Sequence, residues 1–224
     1  MGDPVLKVAL LVAAMAGTAS AGPTGGRVVG RVAVTEADGQ AVSGADIIVY
    51  VVGYDEPPGT QVAQITQTGR KFIPDLVAIT VGEEVNFPNR DTIFHNVFSQ
   101  SNARKFDLGS FKKGESKAKD FPTPGVVDVY CNIHPEMAAT ILVLPNHRYT
   151  HAKPDGTFAI DGVRAGTWKV FAYTRRAVKP AMASVTVHDG ADATIDLAVT
   201  RGADAGHANK FGEKYHDTSH TYSK

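Results

Sequence analysis

Four side chains in this sequence have the types and spacing to hold a soft metal ion. Cys131, the sole cysteine of 224 residues, stands in YCNIHPEM, with His134 and Met137 following it closely. A strand that ends at Cys131, followed by a tight connection in which Pro135 cannot donate to a ladder, can turn all three side chains toward one point. A second imidazole has to come from another strand. His95 in IFHNVF is the candidate, because it alternates with Ile93 and Val97 on a segment expected to face the same core. One thiolate, two imidazoles in a trigonal plane and a weak axial thioether are the donor set of a blue-copper electron-transfer centre. Bound to a metal, a lone thiol is kept deprotonated and shielded from disulfide exchange.

Taken singly, each residue has a plainer explanation. A buried Cys is often a small hydrophobe, a Met is often core filler, and a histidine on an apolar face is often only hydrogen-bonded. The conjunction carries the reading: C-x-x-H-x-x-M on one connection, with HNV upstream. The sequence has no H-x-H pair for a trinuclear copper cluster and no C-x-x-x-C for a binuclear one. His147 and His151, in NHRYTH, read as linker residues. Lys112, Lys113, Lys117 and Lys119, in KKGESKAK, read as a solvated hairpin end.

The elements that must position these ligands are strands. Helical periodicity is nearly absent, and short runs rich in Val, Ile, Thr, Phe and Tyr alternate with Gly, Pro, Asn and Asp. Strands are predicted at 28–34, 45–52, 77–80, 84–88, 93–98, 125–131, 139–144, 157–160, 167–173, 183–187 and 193–199, which argues an all-β protein of sandwich type. Asp38-Gly39, Asp155-Gly156 and Asp189-Gly190 suit tight reversals. Residues 1–21 have a basic flank, a short apolar run and an A-x-A site. They read as a secretory signal peptide cleaved after Ala21, giving a periplasmic or secreted product with no membrane anchor. Lys and Arg total 23 and Asp and Glu total 23, so no global field draws nucleic acid. Residues 201–224 lack alternation and read as a flexible polar tail, with Phe211 and Tyr215 as the side chains available to dock on the body and with His207, His216 and His220 taken as solvated.

The span from about Gln64 to Leu144 resembles a cupredoxin of the plastocyanin and amicyanin kind. The resemblance rests on FIPDLVAITVGEEVNFPNRD, then HNVFS, then FPTPGVVDVYCNIHPEMAATILV. It implies a Greek-key β-sandwich over 59–145 holding one mononuclear copper ion, with His95, Cys131, His134 and Met137 as ligands. It also implies that Asn96 braces the cysteine loop from outside the ligand set, and that electrons pass at the exposed edge of His134 to and from redox-protein partners. The sequence departs from the family at Asn132 and Ile133, and Glu136 sets a carboxylate beside the loop. Glu136 is the alternative axial ligand, and it would make a harder site.

The flanks, 22–58 and 146–200, together resemble one carboxypeptidase regulatory-like domain of transthyretin-like fold, through S-G-A-x-I-x-V and then DG-x-F-x-I and G-x-W-x-V. The cupredoxin part would then be an insertion between Val52 and Pro154. The alternative is that residues 27–52 are extra strands of the cupredoxin part and the C-terminal piece is a separate small module. No catalytic constellation is legible in the flanks. The expected function is one-electron carriage, not enzymatic chemistry. A copper carrier or buffer, and a binding module with a degenerate site, are the other readings.

Overall fold

The computed structural model describes residues 25–204 and 206–215, and every regular element among them is a β-strand. Strand Gly26–Glu36 pairs antiparallel with Thr157–Val163 and parallel with Asp192–Thr194 and Leu197–Arg201. Strand Ile48–Val52 lies between Tyr149–His151 and Gly166–Tyr173, antiparallel to both, and Ala181–Val187 extends that sheet. Val28, Val32, Val49, Val51, Ile160 and Val170 share one core between these two sheets. The chain on either side of the central segment therefore builds one layered unit, although its parts are far apart in sequence.

The central segment forms a second pair of layers. One is a five-stranded sheet in the order Leu76–Thr80, Ala138–Leu144, Gly125–Tyr130, His95–Ser101, Arg104–Phe111. Leu76–Thr80 runs parallel to Ala138–Leu144, and the other neighbours are antiparallel. The opposing layer has Ser116–Asp120, Glu84–Pro88 and Ala63–Gln64, with the hairpin Thr66–Thr68 and Lys71–Ile73 beside it. Phe87, Phe111, Phe121, Val127, Val129 and Ile141 fill the space between, together with Cys131 and Met137.

A third cluster joins the two pairs of layers. Ile48 and Tyr50 on one sheet meet Leu76, Ala78, Leu142 and Leu144 on the other, with Tyr173 beside them. Period-2 alternation explains how one strand serves two cores. Val49 and Val51 point inward while Ile48 and Tyr50 point to the seam, and Ile141 and Val143 point inward while Leu142 and Leu144 point to the seam. Unbroken apolar runs such as IIVYVV and TILVL are what burial on both faces requires. Polar contacts close the rim: Asn146 Nδ2 donates to Val51 O and Tyr54 O, and Arg148 pairs with Glu56 at 3.1 Å.

Two strands, Arg104–Phe111 and Ser116–Asp120, arise where the sequence shows charge rather than apolar alternation. Both lie at sheet edges, where charged side chains block pairing with other chains. Lys117 and Lys119 are thus on a strand rather than in the hairpin end. Lys117 Nζ donates to Leu108 O at 2.6 Å and sits 4.9 Å over the Phe111 ring.

Candidate metal centre

Strand Gly125–Tyr130 delivers Cys131 to the end of the central core, and the following turn closes on itself. Met137 N donates to His134 O at 3.0 Å, and Cys131 N donates to Met137 O at 3.2 Å. Two short-range bonds across seven residues hold the cysteine, the second histidine and the methionine on one small loop. His95 begins the adjacent antiparallel strand, whose Phe98 pairs with Tyr130.

These elements bring three donor atoms together. His95 Nδ1 and His134 Nδ1 lie 3.0 Å apart, and Cys131 Sγ is 4.0 Å from the first and 3.8 Å from the second. A trigonal centre with metal–N near 2.0–2.1 Å and metal–S near 2.3 Å would separate N and S by about 3.8 Å. The residues therefore fit a single first-row ion, and His95, Cys131 and His134 form a group that could hold one. Met137 is fully buried in the same cluster as Cys131. Glu136 points elsewhere: its carboxylate pairs with Arg70 and is substantially exposed.

The imidazoles are held in a ligating form. Asp91 Oδ2 accepts from His95 Nε2 at 2.8 Å, which puts that ring's proton on Nε2 and leaves the Nδ1 lone pair facing Cys131. Burial, followed by the neighbouring His95 and Arg70, pushes the His134 imidazole below its ordinary value. It is therefore neutral at pH 7, as a metal ligand must be. Asp91 in turn is fixed by a turn. Gly69 and Arg70 both have positive φ, the geometry of a two-residue hairpin reversal, and their N–H groups donate to the Asp91 carboxylate at 2.6 and 2.9 Å. Burial opposes the charge on Asp91, but the hydrogen bonds from Arg70, His95 and Gly69 outweigh it and hold the carboxyl below its ordinary value. The Arg70 side chain then reaches Glu136, so one hairpin connects the His95 side of the site to the methionine loop.

Around the sulfur, Asn96 N and Ile133 N both point at Cys131 Sγ from 3.5 Å, and donors in these places spread the charge of a thiolate. The Asn96 side chain takes Asn132 N on its oxygen at 3.4 Å and donates to Asp107 at 2.7 Å. Asn96 thus links the cysteine loop to strand Arg104–Phe111. Asp91, Arg70 and Asp107 were not anticipated. No sequence spacing signals Asp91, because residues 91–94 are not helical; its carboxylate is placed beside the His95 ring by its bonds to Gly69 N and Arg70 N.

Asp91→Ala leaves Gly69 N, Arg70 N and His95 Nε2 without their acceptor. It is expected to weaken metal binding about 10–100-fold, the cost typical of losing an outer partner of a ligating histidine. Competition titration against a chelator reads this directly, and an unchanged affinity would show that His95 is oriented by packing alone.

No family model matches the sequence, and no curated protein does. Solved structures do match. Its structural neighbours are cupredoxins. The purple cupredoxin of Nitrosopumilus maritimus is 26% identical with a TM-score of 0.33, over 36% of this chain and 98% of that one. A Cu(I) amicyanin variant is 18% identical with a TM-score of 0.35, over 42% of this chain and 97% of that one. The Cu-containing nitrite reductase of Thermus scotoductus SA-01 is 24% identical with a TM-score of 0.36, over 42% of this chain and only 25% of that one. Each of these matches covers less than half of this chain.

Proposed function

We propose that the chain is a mononuclear type 1 copper protein that carries single electrons between redox partners. The observation that carries this reading is the convergence of one thiol sulfur and two Nδ1 atoms within 3.0–4.0 Å of one another in a buried pocket. Copper is favoured over zinc by the donor set: one thiolate, two imidazoles and a buried thioether are the ligands of blue-copper sites, and Glu136, the harder axial alternative, is engaged by Arg70. Copper would supply the one-electron couple. The protein's part is to keep the ligands in one arrangement, through Asp91 on His95, Asn96 on the cysteine loop and the closed turn from His134 to Met137.

A carrier also needs a face that partners meet briefly. Ile93, Phe94 and Ile133 are large apolar side chains left exposed next to the ligands His95 and His134 in sequence, and His134 itself is only partly buried. Such a small apolar rim suits transient docking. The outer strands, in this proposal, form the transthyretin-like sandwich into which the copper-binding part is inserted between Val52 and Pro154, and the pairing of Ile48–Val52 with Gly166–Tyr173 supports that. Export to the periplasm or beyond is proposed from residues 1–21, which lie outside the described residues.

The test is the visible and electron-spin spectrum of the copper-loaded protein. An intense blue band with narrow copper hyperfine coupling, together with a reversible couple in voltammetry, is expected. A colourless product, or copper that a chelator strips at once with no reversible couple, would overturn electron carriage; the second result would favour delivery of the ion.

A further inference from the structure

Residues 206–215 follow the last strand and return to the metal loop. Three hydrogen bonds connect them to it. Tyr215 Oη donates to Cys131 O at 2.7 Å, Lys210 N donates to Asn132 Oδ1 at 2.9 Å, and His207 Nε2 lies 2.9 Å from Pro135 O. The His207 ring stacks on Tyr130 with centroids 3.8 Å apart, and Tyr215 meets it edge-on at 5.1 Å. Lys210 Nζ binds Asp107, the carboxylate that also takes Asn96 Nδ2. The segment is shaped for this. Asn209 Oδ1 accepts from Phe211 N and Glu213 N, and Asn209 N donates to Glu213 O, so a compact turn presents His207, Lys210 and Tyr215 together.

The contacts are placed where they matter for ligand geometry. The loop's own bonds fix Met137 to His134 and Cys131, but the carbonyl of Cys131, the Asn132 side chain and the carbonyl of Pro135 have no role in that closure. The later segment takes all three, flanking His134 on both sides in sequence.

We propose that residues 206–215 are a strap belonging to the metal centre, with Tyr215, Lys210 and His207 as positioning residues that hold the backbone of the ligand loop. The proposal rests on the copper reading for its purpose, but not for its test. With the strap in place, the loop opens rarely, so the buried Cys131 thiol is slow to react and a bound ion is slow to leave.

Two variants of the full chain test this: Tyr215→Phe, which removes one hydroxyl, and the triple variant His207→Ala, Asn209→Ala, Tyr215→Phe, which dismantles the strap. In the metal-free protein, Cys131 should react with an aromatic disulfide reagent about 3–10-fold faster in Tyr215→Phe, the scale of one hydrogen bond, and by more than about tenfold in the triple variant. In the copper-loaded protein, removal of copper by a chelator should accelerate in the same order, and the visible band should move. His151→Ala, which changes a partly exposed side chain paired with Asp46 on the outer strands, should alter neither rate. Equal thiol reaction rates in wild type and both variants overturn the strap, whether or not copper binds. Fast reaction in the variants with no copper binding in any protein would uphold the strap and refute the copper reading.

Discussion

Cys131→Ser is expected to abolish the intense visible absorption of the copper-loaded protein and to weaken copper binding by more than the roughly 100-fold that loss of an outer partner can cost. The reason is chemical rather than steric. Serine nearly matches cysteine in shape, but its oxygen is a hard donor and cannot give the soft thiolate bond on which the colour and the affinity for copper depend. The pocket would remain: Cys131 is fully buried, and Asn96 N and Ile133 N would face the serine oxygen instead of sulfur. His151→Ala provides the control, because His151 is a partly exposed histidine paired with Asp46 on the outer strands and takes no part in the centre. Retention of the blue band by Cys131→Ser, or its loss in His151→Ala, would show that the metal sits elsewhere.

Leu142→Ala should lower stability by about 2–5 kcal/mol, the range for deleting a buried leucine side chain. Leu142 is 1% exposed, yet it points away from the core that holds the metal ligands. If the central sandwich stood free, this face would be solvated and the truncation would cost no more than about 0.5 kcal/mol. The urea-unfolding midpoint of the whole chain decides between these values. Burial of Leu142 against Ile48 and Tyr50 also means that its loss should shift the unfolding of the outer strands along with that of the central ones.

His95, Cys131 and His134 were legible as a candidate group because a metal site imposes fixed residue types on a fixed loop, and no second such pattern occurs in the sequence. Strands with one buried face were equally plain: Glu84–Pro88 emerges with the predicted bounds because Val85 and Phe87 alternate with polar residues. The edge strands Arg104–Phe111 and Ser116–Asp120 were not visible, since an edge beside solvent is served by charge and leaves no apolar rhythm to read. The seam was written in the sequence but in a form that periodicity cannot decode. An apolar residue at every position of Ile48–Val52 says that both faces are covered and does not say by what. The support around the site was hidden for a different reason. Asp91, Asp107 and Lys210 act through a few polar atoms each, and long-range hydrogen bonds of that kind impose no repeat. Residues 206–215, read as part of a polar tail, owe their docking to such bonds; residues 216–224 lie outside the described residues.

Strand Gly26–Glu36 sits between Thr157–Val163 on one side and Asp192–Thr194 with Leu197–Arg201 on the other, so the first described strand is completed only by the last. Contacts such as Arg27 with Asp192 close a loop of 165 residues. A chain made from its N-terminus must therefore hold this strand without a strand partner until Thr157–Val163 has been made, while the central strands find their partners at much shorter separation. The order of assembly is thus built into the topology: the central layers can form early, and the outer sheet is completed only when the last strand arrives.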